Sequence, residues 1–475
     1  MKNLIALCIV FVLPFIGNSQ KSFVSGNVSD SNLPLPGVNV VIKGTAKGTQ
    51  TDFEGNFKIE VSKGQILVFS FIGYKDHYVT IEEPEKFLTI ELVEDLKLLE
   101  EVVITGYGSR KSRDAVGYSV SDYGEGGASG SKSYGNYPYG VLTAGEINDI
   151  KDYSEWLSVL KQKKFKKIQQ DWGFYLEHKI EVMVKDNDGE PINNVKVVLF
   201  AEKEAGIKAE MVSRTDVTGK SVLFRDLNCS TIEEYYYVQV FHNDKILGRK
   251  VKTSTKELAF TFSKQTESKN VDIMFTIDAT GSMGDEMNYL KAELQNIISR
   301  VDQNIGEKRV ALTFYRDVSD EYTVREFDFN SDIKKVQAFL DKQYATGGGD
   351  YEEAVEVALK ESLLNNWDEE ARAKLMFLLL DAPPHWNEQN VMTIRNEIRK
   401  AQEMGIKIIP IVASGADKTV EFLMRFFSVS TNGTYVFLTD DSGIGNPHLK
   451  PTKSNYKVEK LNNLIVRLIN EYAMI

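Results

Sequence analysis

Two runs constrain this chain more than any other feature: Val271-Asp272-Ile273-Met274-Phe275-Thr276-Ile277 and Leu375-Met376-Phe377-Leu378-Leu379-Leu380. A strand this apolar has no face to offer water, so both its faces must be covered, as in a parallel sheet flanked by helices. The sequence around the runs supplies the helices. After the first run, Met283, Met287, Leu290, Leu294, Ile297 and Val301 fall on one helical face. Strands are predicted over 309–315 and 323–327, and helices over 333–340 and 352–364. Beyond the second run come a helix over 389–403, a strand over 406–412, a helix over 416–427, a strand over 434–438 and a helix over 456–472. This alternation predicts an α/β doubly wound, mostly parallel sheet over residues 269–475. In such sheets ligands bind outside the carboxyl ends of the strands.

Oxygen-bearing side chains collect at that edge. Each apolar run ends in an aspartate, Asp278 and Asp381. Thr280 and Ser282 follow Asp278 closely enough for a tight loop to aim all three side chains at one point. Thr346 precedes Gly347-Gly348-Gly349, a loop whose backbone can approach other groups closely. Two carboxylates and three hydroxyls, with no histidine or cysteine required, suit a hard divalent cation: Mg²⁺ first, with Ca²⁺ or Mn²⁺ as alternatives. Few protein charges would surround that ion, so it keeps Lewis acidity and an open position for a ligand carboxylate. Taken singly, each residue has a plainer reading. Asp278 is a candidate helix cap, the Thr346 loop an ordinary turn, His385 a solvent-facing loop residue, and Arg316–Asp317 a structural ion pair.

The rest of the chain is patterned differently. Residues 1–19 have a lysine, an apolar run from Leu4 to Ile16, and Gly17-Asn18-Ser19 before a cleavage point, which predicts a secretory signal peptide. No later segment is apolar enough to span a membrane. Of the two cysteines, Cys8 lies in that leader, which excludes a disulfide framework and leaves Cys229 as a small buried residue. Lys+Arg total 57 against Asp+Glu 68, a balance that disfavours nucleic acid and anionic lipid. Short β-rich runs with turn punctuation predict a β-sandwich over 20–98 and a second over 173–265. Thr215-Asp216-Val217-Thr218-Gly219 echoes Thr51-Asp52-Phe53-Glu54-Gly55. Between them lie a β-prone segment at 99–108, a Gly/Ser/Tyr-rich linker at 109–140 and a short helical segment at 141–172. In that helical segment Thr143 and Glu146 form a capping-box pattern, and Trp156, Leu157 and Leu160 have core spacing. The lysines of 161–167 read as a solvated helix face.

Two resemblances rest on these residues. Asp278-Ala279-Thr280-Gly281-Ser282, with Thr346 and Asp381, resembles the metal-ion-dependent adhesion site of von Willebrand factor type A domains, over residues 269–474. The resemblance implies a Rossmann-like fold, a divalent cation and a binding role. Asp381-Ala382-Pro383-Pro384-His385 departs from the commoner Asp-Gly ending. Residues 22–95 resemble the carboxypeptidase-regulatory-like β-sandwich at the N-terminus of SusC-type outer-membrane receptors, and Leu99 to Gly108 resembles the TonB box that follows it. No series of barrel strands comes after, so transport is not implied.

Physically, Glu101, Val102, Val103, Ile104 and Thr105 form a strand able to add to a partner's sheet edge. The plainer reading is a linker strand or the last strand of the first sandwich. The expectation is an exported binding or adhesion protein of the periplasm, outer membrane or cell exterior, not an enzyme. Its cation would capture a protein or glycan ligand bearing an acidic group. The alternative is an envelope scaffold or signalling component docking to a TonB-like protein. A metal-dependent hydrolase, with the ion activating water, is disfavoured by the lack of a clear base near the motif other than His385; His-Glu-x-x-His, Gly-x-Ser-x-Gly and a complete Walker A motif are absent.

Overall fold

The computed structural model describes residues 22–93, 102–103, 142–439 and 451–474, apart from short stretches at 30–34, 36–37, 46, 53–54, 72–73, 84–85, 204–205, 228–232, 244, 264–267 and 454–455. The expected signal peptide, Glu101, Ile104, Thr105, the 109–140 segment and Cys229 lie outside the described residues. The chain divides into two compact units, 1–100 and 101–475.

The first unit is a seven-stranded sandwich. Ser22–Ser29 lies between Asn56–Val61 (antiparallel) and Leu88–Glu91 (parallel). The facing sheet runs Gly48–Gln50, Asn39–Ile42, Ile66–Ser70, His77–Thr80, all antiparallel. Alternate side chains along each strand turn inward. They bury Val24, Val28, Val40, Phe57, Leu67 and Phe69, with Phe57 edge-on to Phe69 at 5.2 Å.

The second unit repeats that topology strand for strand. Lys179–Asp186 lies between Lys220–Phe224 and Glu257–Phe262, facing Gly206–Arg214, Lys196–Lys203, Tyr235–His242 and Lys245–Lys252. The sequence echo has the same local chemistry in both copies. Thr51 Oγ1 donates to Leu35 O at 2.6 Å and accepts from Val38 N at 2.9 Å. Thr215 does the same with Ile192 O at 2.7 Å and Val195 N at 2.9 Å. Gly219 has φ 72°, and a Cβ there would lie 2.4 Å from Val184 O, so the turn admits only glycine.

A nine-stranded sheet dominates the second unit. Its parallel centre runs Lys308–Tyr315, Val271–Asp278, Ala373–Leu380, Ile406–Val412, Tyr435–Thr439. Val324–Asn330 closes one edge antiparallel. At the other edge come Thr143–Ile147, Lys457–Lys460 and Val102–Val103.

Two expectations change here. Thr143 opens a strand, not a helix: Gly145 faces Phe437 so closely that a Cβ would meet its ring at 2.4 Å. Glu146 accepts from Thr434 Oγ1 at 2.8 Å instead of capping a helix. The helices start at Tyr153–Leu160 and Lys163–Trp172. Val102–Val103, in turn, pairs with Lys457–Lys460 and is not the last strand of the first sandwich.

One apolar cluster joins these helices, the second sandwich and the α/β sheet, from Trp156 and Phe165 through Val182 and Leu199 to Met376 and Phe426. Phe174 stacks on Phe426 at 4.4 Å. A buried ion pair pins the same junction. Arg425 donates to Asp149 Oδ2 at 2.8 Å and Oδ1 at 2.6 Å, and to Glu421 Oε1 at 3.1 Å, with all three residues almost fully buried.

All four tryptophans lie in the second unit, so their fluorescence reports on it alone. In urea unfolding, Asp149→Ala should cost about 3–5 kcal/mol by leaving a buried guanidinium underpaired, and Asp149→Ala with Arg425→Met should recover much of it. A wild-type midpoint for the single variant would show that the pair does not pin the junction.

Candidate metal centre

The strand Val271–Asp278 is buried at every position, and its last residue carries a carboxylate with no solvent exposure. The chain turns sharply there. Asp278 Oδ1 accepts from Thr280 N at 2.9 Å and from Thr280 Oγ1 at 2.7 Å. A single 3₁₀ turn, Gly281–Met283, leads into the helix Gly284–Arg300. It brings Ser282 Oγ to 3.4 Å from Thr280 Oγ1.

Ala373–Leu380 is the neighbouring parallel strand, in register up to Ile277 opposite Leu379. Asp381 therefore leaves the sheet beside Asp278. Its carboxylate is hydrogen-bonded by Ser282. The glycine loop closes the third side: Thr346 N donates to Ala279 O at 2.9 Å and Gly281 N to Gly347 O at 3.2 Å. Gly348 has φ 82° and packs on Thr280, where a Cβ would sit 3.3 Å from Thr280 Cβ.

Asp278, Thr280, Ser282, Thr346 and Asp381 are thus brought to one place. The carboxylates are buried, and Ser282 and Thr346 are exposed at the rim. Arg316, also buried, clamps two of the loops through their carbonyls: Nε donates to Ala279 O at 3.1 Å and Nη2 to Tyr344 O at 2.9 Å. The expected Arg316–Asp317 pair is therefore not formed, because the guanidinium is spent on backbone. Asp317 instead accepts from Ser319 Oγ at 2.9 Å and faces His385.

The electrostatics are those of a crowded, dry anionic pocket. Burial, with the Asp381 charge added, pushes the Asp278 carboxyl up to about 7. Its Oδ2 is buried and has no hydrogen-bond partner. Burial, then the neighbouring Asp278, Asp317, Asp320 and Asp381, pushes Glu353 up to about 9, and its Oε2 is also without a partner. Glu286 is pushed up to about 7, chiefly by burial.

Sequence reasoning missed Glu353 and Glu286. The only signal was the acidic stretch Asp350-Tyr351-Glu352-Glu353 after the glycines. The donor set fits a hard cation: carboxylate oxygens beneath, hydroxyls at the rim, and an unsatisfied buried oxygen facing inward.

A stability test follows from the raised Asp278. A buried acid whose folded pKa lies above its unfolded value destabilises the fold as pH rises through that window. Metal-free protein should therefore lose stability between about pH 4 and 7. Asp278→Asn keeps an acceptor for Thr280 and removes the charge. At pH 8 in chelator it should be about 2 kcal/mol more stable than wild type, with Mg²⁺ raising the melting temperature of wild type only. A melting temperature for the variant below that of wild type under those conditions would contradict this account.

Residues 272–447 match the von Willebrand factor type A domain, and residues 24–104 match the CarboxypepD_reg-like domain. Over 101 residues the chain is 40% identical to TonB-dependent receptor P39 of Formosa agariphila, covering 21% of this chain and 10% of the receptor. Over 100 residues it is 41% identical to TonB-dependent receptor SusC of Bacteroides thetaiotaomicron, with the same two coverages. TonB-dependent receptor P3 of F. agariphila is 36% identical over 124 residues, covering 26% of this chain and 12% of the receptor. The chain spans about a tenth of the length of these curated relatives. No helix among the described residues is long and apolar enough to cross a membrane. The chain carries a CarboxypepD_reg-like domain, as SusC-like receptors do, together with a von Willebrand factor type A domain.

Proposed function

We propose that this protein, exported through residues 1–19, is a cell-envelope adhesion protein. In this reading a divalent cation, Mg²⁺ before Ca²⁺ or Mn²⁺, is held by Asp278, Thr280, Ser282, Thr346 and Asp381, and captures a protein or glycan ligand through an acidic group. The observation that carries the reading is the unpartnered Asp278 Oδ2 beside Asp381 at adjoining strand ends. A cation would neutralise that pair. With the hydroxyls of Ser282 and Thr346 exposed at the rim, it would keep a position open to a ligand carboxylate.

The surroundings suit binding. Val318, Tyr344, Tyr351 and Trp386 are exposed at 61%, 54%, 42% and 58%, and each lies in or beside a loop of the site. Aromatic side chains around a charged centre supply apolar contact to a ligand held by that centre. The alternative, docking of Glu101–Thr105 to a TonB-like partner, must contend with Val102–Val103 being paired to Lys457–Lys460. A partner strand would have to displace that pairing or add to its open side.

The test uses the whole chain from residue 20. A fragment starting at 269 would lack the strand Thr143–Ile147 and half of the shared core. Passed over immobilised cell-envelope proteins, the chain should be retained in Mg²⁺ and released by EDTA. Asp278→Ala should abolish retention, and Thr346→Ala should weaken it roughly tenfold. Equal retention in EDTA would falsify the cation-dependent reading, and loss of retention on deleting 99–108 alone would favour the docking alternative.

A further inference from the structure

We propose a second cation site beside the first and of different chemistry: Asp317 Oδ1, Asp350 Oδ2 and His385 Nε2 form a three-donor cradle for Zn²⁺. His385 Nε2 lies 3.8 Å from Asp317 Oδ1 and 3.6 Å from Asp350 Oδ2, and the three atoms are within 4.8 Å of one another. These separations are too long for hydrogen bonds. They are close to the spacing a tetrahedral ion imposes, since bonds of about 2.1 Å put neighbouring donors about 3.4 Å apart. A contraction of a few tenths of an ångström would bring the two His385 contacts to that spacing, with the exposed Asp350 side chain free to turn toward Asp317.

An independent observation points into the cradle. Asp317 is 5% exposed, and its Oδ1 is buried with no hydrogen-bond partner. Its other oxygen is occupied by Ser319 Oγ at 2.9 Å, which fixes the carboxylate so that the unsatisfied oxygen faces the imidazole. A buried carboxylate oxygen left without a donor is costly, and here the group it faces is a metal-ligating side chain.

The backbone that carries His385 is held in place as well. His385 O accepts from Asn390 Nδ2 at 3.1 Å, and Pro383 O from Glu353 N at 3.0 Å. Pro383 and Pro384 restrict the backbone that leads to it. Asp350 is mostly exposed, so the fourth position opens to solvent.

The donor sets separate the two sites by ion. Five oxygens suit Mg²⁺, whereas an imidazole with two carboxylates suits Zn²⁺. Asp317 follows the strand Lys308–Tyr315, Asp350 follows the glycine loop, and His385 stands four residues beyond Asp381. The sites are neighbours but share no donor.

The experiment titrates Zn²⁺ calorimetrically into the whole chain from residue 20 in excess Mg²⁺. Wild type should take up one Zn²⁺ more per chain than His385→Gln, and Asp278→Asn should keep that extra ion. Co²⁺ substituted for Zn²⁺ should give a visible absorption band that His385→Gln lacks. Asp350→Asn alters an exposed side chain that no fold contact needs, and it should weaken the extra Zn²⁺ at least tenfold even if His385→Gln folds poorly. The chain holds four other histidines, so the difference between variants is the measurement. Identical Zn²⁺ uptake by wild type, His385→Gln and Asp350→Asn would overturn the proposal. So would uptake lost in Asp278→Asn and kept in His385→Gln, which would put Zn²⁺ in the first site. Cation-dependent retention on envelope proteins is read separately, so either idea can fail alone.

Discussion

Everything at the sheet edge is arranged around one uncompensated charge, the Asp278 carboxylate. It ends a strand buried at every position, and one of its oxygens is satisfied by the two donors of Thr280 while the other has none. Folding alone would not favour such a group, because a buried carboxyl without a donor is either kept protonated at a cost or ionised at a greater one. The surrounding chain crowds further carboxyl groups around it instead of relieving it: Asp381 on the adjoining strand and Asp320 raise the Asp278 carboxyl, and Glu353 and Glu286 are themselves pushed up by burial there. A buried cationic side chain at the site, Arg316, donates to the carbonyls of Ala279 and Tyr344. It stiffens the loops and leaves the carboxylates to one another. A site assembled this way stores unfavourable electrostatic energy that protonation or a bound cation would relieve, and that is the physical sense of preorganisation here.

The parts of this design that were legible in the sequence are those written locally. Unbroken apolar runs reveal central strands because burial on both faces leaves no room for alternation. An aspartate at the end of such a run, followed at once by Thr280 and Ser282, is a feature of a few neighbouring residues. Thr346 needed only its glycines. The Asp317–Asp350–His385 cradle was illegible because its donors lie on three separate loops with no common spacing, and because Arg316 next to Asp317 suggested a local pair that the backbone carbonyls pre-empt. The strand Thr143–Ile147 was misread for a related reason. Its Thr-x-x-Glu pattern is a true local helix signal, and it lost to a pairing with Tyr435–Thr439, almost three hundred residues away. Ala144 and Gly145 are poor strand formers by propensity. They suit this place because Phe437 fills the space a side chain at 145 would take.

The repeated sandwich shows how one topology can be put to two uses. Both copies keep the same Thr–Asp–Gly turn and the same order of strands. The first has its own closed core. In the second, side chains such as Val182 and Leu199 belong to the cluster that also holds Phe422, Phe426 and Met376 of the α/β sheet. Asn193 and Asn194 donate to the carbonyls of Arg372 and Glu369, at the entry to the strand that leads to Asp381. The second sandwich is thus a buttress for the opposite end of that strand, built into the same folding unit as the candidate metal centre.

Topology also recasts the segment between residues 103 and 142. By composition it reads as a tether between bodies. Yet Val102–Val103 and Thr143–Ile147 are strands of one sheet, flanking Lys457–Lys460 on its two sides. Strands two positions apart are separated by about 10 Å, so the chain leaves this sheet edge and returns to it nearly where it left. Both described ends of the segment therefore lie on one sheet. Val102–Val103, within the stretch read from the sequence as a docking strand, then has a structural duty, since it pairs with Lys457 and Val458 at the sheet edge. Any partner strand entering there competes with a pairing the chain already makes, so occupancy of that edge is decided by the difference between two short ladders.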